Sequence, residues 1–153
     1  MSQHGLRRRA PSYCPECEHC RAVVAVPEIA VRPWAMTDRQ AVLAYSRSMA
    51  DEAREWLIVF FVNDDLELLA ADTIGRGTVS SVILPSASLI CRGRGLGATG
   101  FILVHNHPSG DPTPSEADIK QTIRLAQLSQ DMELRMLGHF VIGNEEMTEV
   151  GYW

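Results

Sequence analysis

Two histidines and an aspartate carry the strongest chemical signal in this 153-residue chain. His105 and His107 flank Asn106 where the apolar run Phe101–Val104 ends. In extended backbone, residues i and i+2 point to one side, so both imidazoles can meet one ion. Asp118 follows after a loop of ten residues, Pro108–Ala117, rich in proline and turn formers, which can fold that carboxylate back toward the histidines. Two imidazoles, one carboxylate and a fourth position left to water form the ligand set of a catalytic zinc ion. Zinc lowers the pKa of its water to ~7 and so supplies hydroxide near neutral pH. A plainer reading competes: Ser115-x-x-Asp118 resembles a capping box that starts a helix with no metal at all. The combination, placed directly after a buried strand, favours the metal.

The elements that must hold these residues follow from periodicity. Thr37 with Gln40 forms a capping-box pattern, and Val42, Tyr45, Met49, Ala53 and Trp56 recur at helical spacing, predicting a helix over 38–54. Residues 56–62 (WLIVFFV) read as a strand buried on both faces. Asn63-Asp64-Asp65 is turn chemistry, so 66–73 returns as the second strand of a hairpin. Gly75 and Gly77 mark a loop, and 79–84 is a third short strand. Pro85 can start a helix, although Gly93, Gly95, Gly97 and Gly100 weaken the stretch after it. A fourth strand, 101–104, leads into His105. Ser115 caps a helix through about Ser129, with Ile119, Ile123 and Ala126 on one face. Strands over 134–142 and 147–153 close the chain. Helices among mostly paired strands imply an α/β or α+β fold around a mixed sheet.

Composition narrows the classes. Apolar residues are 46% and charged residues 22%, as in soluble globular proteins. No run approaches the ~20 apolar residues of a membrane span, and the basic start MSQHGLRRRA lacks the apolar stretch of a secretory signal. The net charge is -5, yet residues 1–36 hold five arginines against three glutamates. An acidic body argues against a broad nucleic-acid groove. Three of four cysteines, Cys14, Cys17 and Cys20, crowd into the irregular segment 1–36, with Cys91 far away. That is no secreted disulfide framework, and a cytoplasmic location is expected. The cluster could hold a second, structural metal if His4, Cys91 or another chain added a ligand; a disordered or disulfide-prone tail is the preferred expectation. Arg7-Arg8-Arg9 is read as a solvated basic tail.

The stretch HNHPSGDPTPSEAD, residues 105–118, resembles the signature of RadC-type JAMM/MPN metalloprotease-like domains: a glutamate, a variable gap, His-x-His, ten residues and Asp. The likeness runs from about Thr37 to Trp153 and includes 72–84 and GHFVIG at 138–143. It implies a single JAMM domain over 37–153, a curved mixed sheet flanked by helices and similar to zinc deaminases. Carried over, it makes His105, His107 and Asp118 the ligands of one Zn2+. It gives Ser115 to the oxyanion or the bound water, and makes the upstream glutamate the general acid/base. Glu55, at the mouth of the first strand, is the best match; Glu52, three residues earlier, is second. The implied reaction is hydrolysis of a peptide or isopeptide bond in a protein or peptide substrate.

Departures and rivals complete the reading. Gly138 stands before His139 where the family often has Asp, and His139 is read as a strand histidine with a local hydrogen bond. Full-length relatives resemble a helix-hairpin-helix module followed by the JAMM domain; this chain has room only for the latter. The second hypothesis is therefore a non-catalytic module tied to DNA repair or mobile-element biology, with nucleic acid a weakly supported partner. The tripeptide at 105–107 is unrelated to HNH nucleases, whose letters name dispersed residues. HExxH is absent, and the H-x-E with downstream P-C-x-x-C of zinc deaminases is not matched.

Overall fold

A computed structural model describes residues 46–47, 50, 52–76, 86–144 and 146–151. The predicted strand at 79–84, the cysteine cluster, the triple arginine and most of the predicted 38–54 helix lie outside the described residues. Among those described are five strands and two helices: β1 (Trp56–Val62), β2 (Leu68–Arg76), α1 (Ser86–Leu96), β3 (Gly100–Asn106), α2 (Glu116–Asp131), β4 (Arg135–Ile142) and β5 (Met147–Glu149). They form one mixed sheet in the order β2-β1-β3-β4-β5. β1 pairs antiparallel with β2 and β3, β3 runs parallel to β4, and β4 is antiparallel to β5. This is the α/β architecture of a JAMM/MPN domain. No helix among the described residues is long and apolar enough to cross a membrane.

β1 sits between two partners and is buried on both faces, as its unbroken apolar run requires. Leu57, Val59 and Phe61 join Phe101 and Leu103 of β3 beneath Leu89 and Ile90 of α1 and Leu125 of α2. Ile58, Phe60 and Val62 face the other way, with Ile102, Val104 and Ile142. Each such side chain contributes roughly 1.5–3 kcal/mol by leaving water. Alternation along β3 places His105 on the helix-covered face, in step with Phe101 and Leu103, and Asn106 on the opposite one.

The turn after β1 is built by Asn63, whose side-chain oxygen accepts from the backbone N–H groups of Asp65 and Glu67. Five expectations need correction. The helix expected through 54 is not present at residues 52–54, where the chain is irregular. The last strand, expected through 153, ends at Glu149. β2 starts later than expected and continues through Gly75 to Arg76, which pairs with Trp56. The glycine-bearing segment is a full helix, α1, because its glycines have separate jobs. At Gly93 a Cβ would lie 2.7 Å from Leu134 Cδ2 and 3.0 Å from Phe61 Cε1, so glycine lets the helix approach the sheet. Gly97, at φ +72, ends the helix in a Schellman turn, with Gly97 N–H bonded to Arg94 and Ala98 N–H to Gly93. Finally, α2 buries Thr122, Leu125 and Ser129, while Ile123 is exposed. The inward stripe is therefore more polar than the isoleucine spacing suggested.

Candidate metal centre

The site forms where β3 ends and α2 begins. His105 is the penultimate residue of β3 and is buried; His107 comes directly after the strand and is half-buried. Ser115 is the N-cap of α2, and Asp118 is the third residue of that helix. His105 Nε2 lies 3.1 Å from His107 Nε2 and 3.4 Å from Asp118 Oδ1. His107 Nε2 lies 3.4 Å from Asp118 Oδ2. A tetrahedral ion with ligand bonds of 2.0–2.1 Å spaces its donors ~3.3–3.4 Å apart. The two imidazole nitrogens lie near that spacing, and each is 3.4 Å from a different oxygen of Asp118. The three sequence-predicted ligands come together as one cluster, with one donor atom of each within 4.8 Å of the others.

The loop 107–115 is fastened at several points. His107 N–H bonds to the Ile142 carbonyl, and Asn144 N–H to that of Gly110. Gly110 has φ +83, and a Cβ at Gly143 would collide with the Gly110 carbonyl oxygen. Two glycines thus let the loop lie directly on the β4–β5 turn. His107 Nδ1 donates to the Asp111 carbonyl at 2.9 Å, which leaves Nε2 as the atom facing the cluster.

Ser115 and Asp118 make a complete capping box. The Asp118 carboxylate accepts from both the N–H and the hydroxyl of Ser115 at 2.7 Å, and Asp118 N–H bonds back to Ser115 Oγ at 3.1 Å. Burial alone would raise the Asp118 pKa. Hydrogen bonds from His105, His107 and Ser115 outweigh it and hold the carboxylate far below its usual range. The same bond to Asp118 raises the His107 pKa, with burial opposing.

Glu55 is 7% exposed at the mouth of β1. Burial pushes its carboxyl above the ordinary range, and the charges of His105 and His107 pull it back while that of Asp118 adds to the rise. All three cluster residues thus act electrostatically on Glu55. Glu52 is exposed on the surface. The segment carrying Glu55 is held by Asn106, which is fully buried. Its carboxamide oxygen accepts from Trp56 N–H at 2.7 Å, and its nitrogen donates to the carbonyls of Arg54 at 3.0 Å and Glu52 at 3.4 Å. Trp56 N–H is a donor, so it must face the amide oxygen, which fixes the orientation. One side chain from between the two histidines grips both peptide groups that flank Glu55.

Two residues were not anticipated in these roles. Asn106 gave only the signal of lying inside the motif. His139, expected to make a local hydrogen bond, instead reaches the site: its Nε2 lies 2.8 Å from His105 Nδ1 and its Nδ1 2.7 Å from Thr122 Oγ1. Burial, with the charge of His105, pushes its pKa down to about 3. Cys91 is exposed on α1 with a free thiol, and Cys14, Cys17 and Cys20 lie outside the described residues.

A mixed sheet carrying His-x-His at the end of a central strand, with an aspartate on the next helix, defines a JAB-type domain. The family model described as "RadC-like JAB domain" matches residues 36–150, and the chain belongs to that family. It is 34% identical over 114 residues to the UPF0758 protein YfjY of Escherichia coli strain K12, covering 74% of this chain and 71% of that protein. It is 36% identical over 102 residues to a UPF0758 protein of Desulforamulus reducens, covering 67% of this chain and 45% of that protein. The chain thus spans less than half of the second relative.

Proposed function

We propose that this chain is a zinc-dependent hydrolase of peptide or isopeptide bonds, with His105, His107 and Asp118 holding one ion. The observation that supports this reading most is the convergence of two imidazole nitrogens 3.1 Å apart, each 3.4 Å from one oxygen of Asp118, beside a buried glutamate. A bound zinc ion would supply a water that ionises near pH ~7 and would polarise a carbonyl. Glu55 takes the proton from the attacking water onto its carboxylate. The water oxygen bonds to the amide carbon, the C–N bond breaks, and Glu55 returns the proton to the departing amine. Its raised pKa suits a group that must both accept and give a proton near neutrality. Ser115 contributes by turning its hydroxyl from Asp118 toward the developing oxyanion.

The test begins with metal content. Purified chain reconstituted with zinc and dialysed should hold one ion per molecule, and His107→Ala and Asp118→Ala should hold none. Wild type without zinc, or Asp118→Ala with a full equivalent, overturns the ligand assignment. Hydrolysis is then sought with protein and isopeptide-linked substrates. Tight DNA binding that weakens steeply with salt, without any hydrolysis, would replace this proposal by the nucleic-acid module.

A further inference from the structure

A buried hydrogen-bond chain connects two of the proposed ligands through the core. Thr122 Oγ1 lies 2.5 Å from the Asp118 carbonyl oxygen, one helical turn back. A carbonyl has no proton to give, so the hydroxyl donates there and its only proton is committed. Thr122 Oγ1 must therefore accept from His139 Nδ1, 2.7 Å away. The His139 ring is buried against a hydroxyl and an imidazole, with no carboxylate in contact among the described residues. A cation there would be desolvated and unpaired, so the ring is neutral. With its proton on Nδ1, its Nε2 is a bare acceptor. His105 Nδ1, 2.8 Å from it, must then donate, so in the neutral His105 ring Nε2 carries the lone pair.

We infer that His139 and Thr122 are positioning residues that fix the tautomer of His105, so that its Nε2 lone pair faces the cluster. The inference rests on the zinc reading above for its consequence, although the tautomers exist without metal. Every assignment derives from one hydroxyl whose direction is not free. His107 is set independently, by the Asp111 carbonyl. In their neutral forms both imidazoles then turn bare nitrogens, 3.1 Å apart, toward a carboxylate, an arrangement that a shared proton or a metal ion relieves.

Position also shows how His139 comes to face His105. β4 carries one extra residue between Met136, opposite Phe101, and Gly138, opposite Ile102. That bulge shifts the alternation, so Met136 and His139, three apart, share the helix-covered face. Thr122 meets His139 from the inward side of α2.

Thr122→Val keeps the side-chain shape and removes the acceptor. A buried N–H on His139 would then lack a partner, and the ring relieves this by moving its proton to Nε2. His105 must respond by placing its own proton on Nε2, where it blocks the metal. Thr122→Ser keeps the hydroxyl. The experiment uses the full chain at about pH 8, above the ordinary imidazole range. Two-bond 1H–15N spectra of the metal-free protein read the tautomers, and competition with a chelating dye reads zinc affinity. Wild type should show the Nδ1–H form at both His105 and His139. Thr122→Val should shift His139 to Nε2–H and weaken zinc binding by roughly 10–100-fold, a common cost of losing such a support. Thr122→Ser should stay near wild type in both readouts. A wild-type His105 protonated on Nε2, or a Thr122→Val that binds zinc as tightly as wild type, overturns the inference. If wild type binds no zinc, the metal reading fails instead, while the spectra still decide the hydrogen-bond chain.

Discussion

Replacing Asn106 by alanine should loosen the glutamate while leaving the metal donors in place. The carboxamide is fully buried and serves two well-formed bonds, from Trp56 N–H at 2.7 Å and to the Arg54 carbonyl at 3.0 Å. The third, to the Glu52 carbonyl at 3.4 Å, is near the limit of a hydrogen bond and adds little. A buried polar group stripped of its partner costs about 1–3 kcal/mol. Residues 52–54 are exposed, so water can reach the Arg54 carbonyl, and the two losses together should come to roughly 2–4 kcal/mol. For a chain of this size that is a melting temperature lower by about 10 °C. Urea unfolding gives the free energy, and native-state amide exchange at Trp56 reports the local effect. The variant should show a lower midpoint with an unchanged slope, faster exchange at Trp56 and zinc affinity within about threefold of wild type, because Asn106 bonds to none of the three donors. Asn106→Asp keeps the acceptor for Trp56 but turns a second acceptor toward the Arg54 carbonyl, so it should not rescue. A loss below about 1 kcal/mol with the Trp56 amide still protected would refute the gripping role.

Three further outcomes are expected from the same geometry. Glu55→Gln should keep zinc and lose turnover by roughly 10²–10⁴-fold. Because the folded Glu55 pKa is raised above 4.5, wild type loses stability as pH climbs through the window above that value. The glutamine variant should therefore be the more stable at neutral pH, and equal stability in thermal melts would count against a desolvated carboxyl. Gly143→Ala should destabilise by at least 1–3 kcal/mol, about the cost of overpacking, since its Cβ would run into the Gly110 carbonyl oxygen; a wild-type melt would exclude the close approach. In the metal-free chain, the bond that raises the His107 pKa above 6.5 contributes stability that is full below 6.5 and lost as pH rises through the folded value. The buried His139, its pKa pushed down to about 3, works against the fold below 6.5, so the His107 bond is read as a difference. Metal-free wild type should exceed Asp118→Asn in melting temperature by more at about pH 6 than at about pH 8, and zinc affinity should fall toward pH 6 because proton and ion compete for His107.

The parts legible in the sequence are those set by neighbours along the chain. WLIVFFV can only be a strand covered on both sides, and the Asn63 turn forces its return as a hairpin. The triad was legible because strand alternation and a capped helix start fix where His105, His107 and Asp118 stand on their own elements. What stayed hidden depends on contacts between elements. Four glycines near the start of β3 lower intrinsic helix propensity, yet Gly93 is where α1 meets Phe61 and Leu134, residues 32 and 41 positions away. The direction of His139 could not be read by counting alternate residues, because the bulge at Leu137 resets the count. Thr122 had the weakest signal of all: a threonine inside a helix gives no hint of the histidine it meets from another strand.

The capping box and the proposed metal site are rival explanations of Ser115 and Asp118 only if one carboxylate cannot serve both. A helix N-terminus offers N–H groups that need an acceptor, and a Glu or Gln at the third position ordinarily supplies one, a place that Asp118 takes here. Here the carboxylate does so with Oδ2, which takes both Ser115 bonds. Oδ1 remains toward His105, and Oδ2 also lies 3.4 Å from His107. The bonds that start the helix are therefore the bonds that aim the carboxylate. A shorter or unfixed side chain would serve neither purpose, and a glutamate would cap as well but reach one methylene further than the cluster allows. That residue choice separates the two demands: helix capping tolerates Asp118→Glu, whereas a carboxylate whose two oxygens each lie 3.4 Å from one imidazole does not.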